Sequence, residues 1–567
     1  MNIQAIEHRH NSKYCFFTEG YKCVVRVRVA RNDTIKKIEL IWNDWCAFYL
    51  KEFKQTLKLA YNDHYYSYYE GVMEGVRGSY EYFFKIYDQD GSMRYLCDEG
   101  VVKRFNRATT FLNEFMATYP NKIDMVKHNP KFNGRLFYQI FPDRFACANF
   151  KKKGINLPWN VDKKIHNHKF MGGDLKGIES KIPYLASYGV GAIWLTPIHK
   201  SPTAHRYDVI DYYSIDPMLG TLDDFKSLLK TAHKYNINIV MDLVFNHCSY
   251  SHPIFQDVVK KGRKSKYFDW FFINGNKPTI NKEKGNFLCF GTTARMAKLN
   301  TSNPEVIKYF KDVVMYWANL GVDGFRLDVA FEVSHYFWKE LKMNVLKKHP
   351  NCFFIGEDWL NSLERLDLQE WDSTMNYPFR FALLRYFNEE DLDANWISDR
   401  LTSLYLRYPT PFSHNLLNLL DSHDTERFIN SVNFNRDLYF MAYAILMFYP
   451  GVPEFYYGSE IFMEGKQDPF NRKGMKWDSD EFKKEDHKLF RKILSLFKLD
   501  ALKYGSVRFY SKNQIAFIER SYKNNKYLLA FRKGKSAITY KANNVIVSRN
   551  YQNCKMVGNS FVVSKIK

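Results

Sequence analysis

The chain has 567 residues, too many for one compact domain, and 46% hydrophobic with 25% charged residues supply an ordinary globular core. The formal net charge of +22 raises nucleic acid as a partner. The Lys and Arg are scattered, however, short runs such as 151–153 and 260–266 lie among turn residues, and no recognised nucleic-acid motif is present, so that class is set aside. Nine Cys with no CxxC pair speak against a disulfide framework or a structural zinc site and fit reduced thiols in a cytoplasm.

The first stretch, "MNIQAIEHRHNSKYC", has no apolar core of the signal-peptide kind, and no run of 18 apolar residues follows anywhere. No signal peptide, transmembrane helix or membrane partner is expected. Residues 1–125 read as β-structure. "YKCVVRVRVA" alternates polar and apolar, "IKKIELIW" follows, and "YEYFFKIYDQDGSMRYL" has a hairpin pattern around "DQDG". A β-sandwich module is predicted there.

The rhythm then changes, and residues 126–502 alternate apolar strands with amphipathic helices. "GRLFYQIFP" precedes "DLKGIESKIPYLASYG", and "GAIWLTP" precedes "TLDDFKSLLKTAHKYN". "NIVMDLVFNH" precedes, after a long insert, "NPEVIKYFKDVVMYWANLG". Continuing through "GFRLD", "FFIGE", "STMNYP", "NLLNLLDSHD" and "MFYPGVPEFYYG", the strand–helix units match a (β/α)8 TIM barrel. The insert at about 248–300 is too long for a loop and is predicted to form a subdomain. Residues 503–567 return to period-two alternation and read as a C-terminal β-sandwich. Aromatics make up 17% of the chain, and composition leaves core filling and sugar stacking both open.

In such barrels the chemistry sits at strand C-termini. Asp328 ends the fourth strand, Glu357 the fifth, and Asp424 follows the seventh, with Asp242 in the third. One strand-end aspartate is weak evidence, since it often caps a helix. Three carboxylates converging on one mouth are different, because buried carboxylates are costly. Acetal cleavage needs such a set: an acid for the leaving oxygen and a carboxylate to attack or stabilise an oxocarbenium-like centre. Arg326 and Asp328 share a strand face, so Arg326 is expected to keep Asp328 ionised. Apolar neighbours of Glu357, with Trp359 after it, are expected to raise its pKa.

These residues resemble the alpha-amylase family, glycoside hydrolase family 13, and within it the cyclomaltodextrinase, maltogenic amylase and neopullulanase group. "MDLVFNH", "GFRLDVA", "FIGEDW" and "LLDSHDTER" look like its four signature regions, in order, and "GGDLKGI", "MAKLN", "YQIFPDRF" and "YYGSEIFMEGKQDPFNR" like accessory motifs. The resemblance implies that Asp328 is the nucleophile, Glu357 the acid/base and Asp424 the transition-state stabiliser. It implies that His247 and His423 bond sugar hydroxyls, Arg326 orients Asp328, and Tyr207 stacks on the donor sugar. Glu332, Asp468 and Arg472 would contact substrate, and Trp359 would wall the acceptor side. Asp242 resembles a structural aspartate. The N-terminal module resembles a starch-binding-like domain that often takes part in dimerisation, which implies a homodimer.

Departures fall mainly on the acceptor side. Phe331 stands where the group carries Asn, Leu360 and Asn361 replace a His-Asp pair, and Ser459 replaces Asp. No cofactor is expected. The acidic cluster that often binds calcium is replaced by "CANFKKK", leaving Asp174 as the one ligand-like residue, and lysines oppose a hard cation. The implied activity is a retaining hydrolase of α-1,4 bonds in maltooligosaccharides, cyclodextrins or pullulan. The alternatives are a transglycosylase or α-1,6-glucosidase on the same scaffold, or a non-catalytic glucan-binding member.

Overall fold

In the computed structural model, residues 1–567 are described except 19, 46–51, 77, 107–112, 119, 120, 122–124, 127, 162–164, 282, 283, 292 and 368. The N-terminal module is a pair of antiparallel sheets. Its alternating strand Lys22–Ala30 points Cys23, Val25, Val27 and Val29 at Leu40, Phe84 and Ile86 of the facing strands Ile35–Asp44 and Tyr80–Asp88. Period-two alternation therefore becomes one buried face. The expected hairpin joins Tyr80–Asp88 to Met93–Cys97. The module sits against the barrel helix Ala394–Tyr405 through an Arg31–Asp399 ion pair at 2.5 Å and tilted rings of Tyr61 and Tyr405 5.7 Å apart.

Eight parallel strands form the barrel: β1 (Leu136–Ile140), β2 (Val190–Leu195), β3 (Asn238–Val244), β4 (Gly324–Asp328), β5 (Phe353–Gly356), β6 (Ser373–Thr374), β7 (Leu417–Asn418) and β8 (Val452–Tyr456). They are ordered β6-β5-β4-β3-β2-β1-β8-β7, and a parallel bridge from Met375 to Leu417 closes the ring. Phe137, Trp194, Val240, Phe353, Ile355 and Leu417 fill the interior, so the barrel is a packed core and not a pore. Outside, the helix Leu222–Lys234 starts at a Thr221–Asp224 capping box, worth about 1 kcal/mol. Its Phe225 meets Trp317 of the helix Pro304–Asn319 edge to face at 5.6 Å.

Two expected helices are interrupted. The one after β1 is split into Leu175–Ser180 and Ile182–Ser187, where Pro183 lacks the N–H to continue. The one after β7 is a single turn, Phe428–Ser431, and resumes at Arg436–Phe448 beyond Asn433 and Phe434, both at positive φ. The insert after β3 forms a subdomain on a two-stranded neck, His247–Ser249 against Met296–Lys298, followed by the helix Pro253–Lys261. Beyond the barrel, six antiparallel strands from Ser506 to Lys565 make the C-terminal domain. Among the described residues, no helix is long and apolar enough to cross a membrane.

Candidate active site

The site grows out of strand register. On β4, Arg326 and Asp328 point to the same inner face. Cross-strand pairing sets Asp242 of β3 beside Arg326 and Leu327 beside Gly356 of β5, which delivers Glu357 to the same level. Gly356 is required there, since a Cβ would lie 2.2 Å from the Trp371 ring. The loop after β7 brings His423 and Asp424 across the mouth.

The buried Arg326 is the hub. Its Nη1 lies 2.9 Å from Asp328 Oδ1 and 3.0 Å from both oxygens of Asp242. Its Nη2 lies 2.9 Å from Glu357 Oε2 and 4.0 Å from Asp424 Oδ2. One guanidinium thus holds Asp328 and Glu357 side by side on its two terminal nitrogens. The Asp328 and Glu357 side chains are 9% and 8% exposed and that of Asp424 is 27% exposed, so the cluster opens to solvent from the Asp424 side.

Four carboxylates share one arginine, and the balance of charge shows in their protonation. Burial pushes Asp242 up to about 6, with Glu357 adding to the rise and Arg326 opposing it. Burial and Glu357 push Asp424 up to about 7 against Arg472 and Arg326. Burial and the other three carboxylates push Asp328 well above the usual range, again against Arg326. Arg326 was expected to keep Asp328 ionised; it opposes the rise, but burial and the neighbouring carboxylates outweigh it. The arginine is shared, so the cluster as a whole retains a proton near neutral pH.

The apolar setting expected for Glu357 is also corrected. Besides Arg326, the backbone N–H of Val329 donates to Oε2 at 2.8 Å and the indole Nε1 of Trp359 to Oε1 at 3.0 Å. Val329 makes that bond from a left-handed conformation, φ 44° and ψ 42°, which costs a β-branched residue about 1–3 kcal/mol. Trp359, expected as a wall of the acceptor side, therefore donates to the Glu357 carboxyl. Its ring lies flat on Tyr377 at 3.9 Å.

The remaining expected residues fall into two groups. Around Asp424 sit Tyr207, His423 and Arg472. The Tyr207 ring is parallel to the His423 imidazole at 5.3 Å. Its hydroxyl lies 2.5 Å from His423 Nε2 and donates to Asp242 Oδ2 at 2.9 Å. Arg472 donates from Nε to the His423 carbonyl at 2.9 Å and approaches Asp424 at 3.4 Å. Asp468 touches Arg472 at 3.5 Å and is otherwise half exposed. At the neck of the insert, His247 stacks on Phe290 at 4.7 Å, and burial with Lys298 nearby holds it neutral, its pKa down at about 3. Glu332 is ion-paired to Lys298 at 2.6 Å and is not drawn into the Arg326 cluster.

Three participants were not expected: Gln139 on β1, whose Nε2 lies 2.6 Å from His423 Nδ1; Trp194, whose Nε1 donates to Asp242 at 3.2 Å; and Lys298. An amide and an indole at inward positions of apolar strands were the available signals. Asp174 caps the helix Leu175–Ser180 by accepting from the Gly177 N–H, and takes the Lys152 ammonium at 2.8 Å. Lys152 also donates to the Met218 carbonyl at 2.9 Å.

The family description of the alpha amylase catalytic domain matches residues 139–538, and that of the alpha amylase N-terminal ig-like domain matches residues 1–119. Neopullulanase 2 of Thermoactinomyces vulgaris is 34% identical over 90% of this chain and 86% of its own. The intracellular maltogenic amylase of Bacillus subtilis is 32% identical over 88% of this chain and 84% of its own. A solved cyclomaltodextrinase superposes with a TM-score of 0.91 at 27% identity over the whole of both chains. With carboxylates at the mouth of a matched barrel and a matched N-terminal domain, the chain belongs to the alpha-amylase family and is a glycosidase of that type.

Proposed function

We propose that the chain hydrolyses α-1,4-glucosidic bonds in maltooligosaccharides, cyclodextrins or pullulan with retention of configuration. Glu357 protonates the glycosidic oxygen while Asp328 attacks the anomeric carbon, giving a glycosyl ester. Glu357 then takes a proton from water, which hydrolyses the ester. The observation that carries this reading is the Arg326 clamp, which holds two carboxyls together at a strand-end mouth.

In this reading Asp424 holds the hydroxyls of the reacting glucose, with His423 and His247 as neutral bonding partners. Tyr207, Arg472, Asp468, Trp359 and Glu332 line the sugar path. No cofactor takes part, and calcium has no role at Asp174: the Lys152 ammonium takes up one of its oxygens, a poor setting for a hard cation. The N-terminal module, with Leu59 and Tyr65 exposed, serves as a homodimer surface. A cytoplasmic setting is supported by the free thiols of Cys15, Cys23, Cys97, Cys248 and Cys352, all buried, and by a relative named as intracellular.

A second reading, transfer to a sugar acceptor, is favoured by one observation. The loops after β4 and β5 expose Phe331 (45%) and Leu360 (74%) to solvent, an apolar rim that suits a pyranose face better than water. Incubation with maltotriose, β-cyclodextrin and pullulan separates the readings. Glucose and maltose indicate hydrolysis, products longer than the substrate indicate transfer, and no turnover removes both. Asp328→Asn and Glu357→Gln should each lower kcat by roughly 10³-fold or more without loss of thermal stability.

A further inference from the structure

We propose that Gln139 is a positioning residue that fixes His423 as its Nε2–H tautomer, making the imidazole a permanent hydrogen-bond donor at the mouth of the site. The proposal rests on the reading of that mouth as a glucan site.

Both ends of the ring specify the same tautomer. Gln139 lies on β1, fully buried, and its side-chain nitrogen is 2.6 Å from His423 Nδ1. An amide nitrogen only donates, so Nδ1 must present a lone pair. At the other end, Nε2 is 2.5 Å from the Tyr207 hydroxyl and 3.1 Å from Asp424 Oδ2. The hydroxyl spends its own proton on Asp242 at 2.9 Å, so toward the ring it accepts, as does the carboxylate. Nε2 therefore carries the proton.

The ring is held against rotation. Tyr207 lies parallel to one face, Trp194 meets it edge to face at 5.6 Å, and Arg472 Nε donates to the His423 carbonyl at 2.9 Å. Burial, with Arg472 and Arg326 nearby, keeps the imidazole from accepting a second proton. Without Gln139 the Tyr207 hydroxyl can turn its proton from Asp242 to Nε2, so the Nε2 end holds this tautomer only while Gln139 donates to Nδ1. Packing alone does not call for an amide here. Gln139 belongs to the same inner layer as Phe137, and its Oε1 is buried without a hydrogen-bond partner, a costly residue unless its nitrogen is used.

The test uses the full chain labelled with [15N]histidine, the His423 signals being identified by their loss in His423→Asn. The expected wild-type spectrum has a protonated Nε2 and an unprotonated Nδ1. In Gln139→Met the two nitrogens should move toward exchange-averaged shifts, and kcat/KM on maltotriose should fall roughly 10–100-fold, with thermal unfolding preserved. A protonated Nδ1 in the wild type overturns the proposal even if the variant does not fold. A folded Gln139→Met that keeps the wild-type spectrum overturns it whatever its rate. A changed spectrum with an unchanged rate overturns the functional role. A wild type that shows the expected spectrum and its expected shift in the variant, yet turns over no α-glucan, would remove the glucan reading and leave the tautomer assignment standing.

Discussion

Asp242→Asn is a direct probe of the crowded charge around Arg326. An asparagine has the shape of the protonated acid, so the variant fixes position 242 in its neutral form. Asp242 is fully buried, and its pKa is pushed up to about 6 from the ordinary value of about 3.9. A carboxyl raised in the folded state favours folding by taking up a proton. That advantage is complete below the unfolded pKa and disappears as pH rises through the folded one. The shift is about two units, and at about 1.4 kcal/mol per unit ionised Asp242 costs the native state about 3 kcal/mol above pH 6. The amide oxygen of the variant still accepts from Arg326, so the variant should match the wild type near pH 4 and exceed it by up to about 3 kcal/mol at pH 7. Urea denaturation followed at half-unit intervals from pH 4 to 8 measures the difference. A difference that stays flat with pH, or a variant that loses stability as pH rises, would refute the charge balance described for the cluster. Activity should fall even as stability rises, because the amide nitrogen cannot accept the second Arg326 contact that the other carboxylate oxygen makes.

Four further outcomes follow from particular contacts. Glu454 on β8 is buried with no hydrogen-bond partner for either oxygen, and burial with Asp421 nearby pushes it well above the usual carboxylate range; Glu454→Gln should stabilise the chain, with the gain increasing as pH rises above about 4, read as the pH dependence of the unfolding midpoint. Trp359→Phe removes one donor to Glu357 and should lower kcat/KM on maltotriose roughly tenfold, with the unfolding temperature unchanged. Prolonged chelation should leave activity and unfolding temperature unchanged, whereas Lys152→Met should destabilise by about 1–3 kcal/mol, measured by calorimetry.

Much of this was legible in the chain because period and position are local properties. The alternation of Lys22–Ala30 gave the sandwich face, the strand–helix rhythm gave the barrel, and the two-residue spacing of Arg326 and Asp328 gave a shared face. What was not legible depends on register. Phe353, Phe354 and Ile355 made the surroundings of Glu357 look apolar, yet Phe353 and Ile355 lie in the barrel interior and Phe354 packs on Phe325 at 5.8 Å. The carboxyl itself is ion-paired to Arg326 of β4 and accepts from the Trp359 indole of its own loop and from the Val329 backbone N–H. The Val329 conformation was likewise unreadable, since a β-branched residue is among the least expected in left-handed space.

The same register explains why the electrostatics could not be read locally. No single strand or loop carries more than two of the five charges: Asp242 comes from β3, Arg326 and Asp328 from β4, Glu357 from the end of β5, and Asp424 from the loop after β7. Read segment by segment, Arg326 and Asp328 are a balanced pair, and a balanced pair predicts an ionised aspartate. Only when the sheet closes does the arginine face four carboxylates, and only then does a surplus of negative charge make the cluster hold a proton. A glycosidase of this type draws its acid and its attacking carboxylate from such a set. The acid–base capacity of the site is therefore a property of the closed barrel and not of any of its motifs.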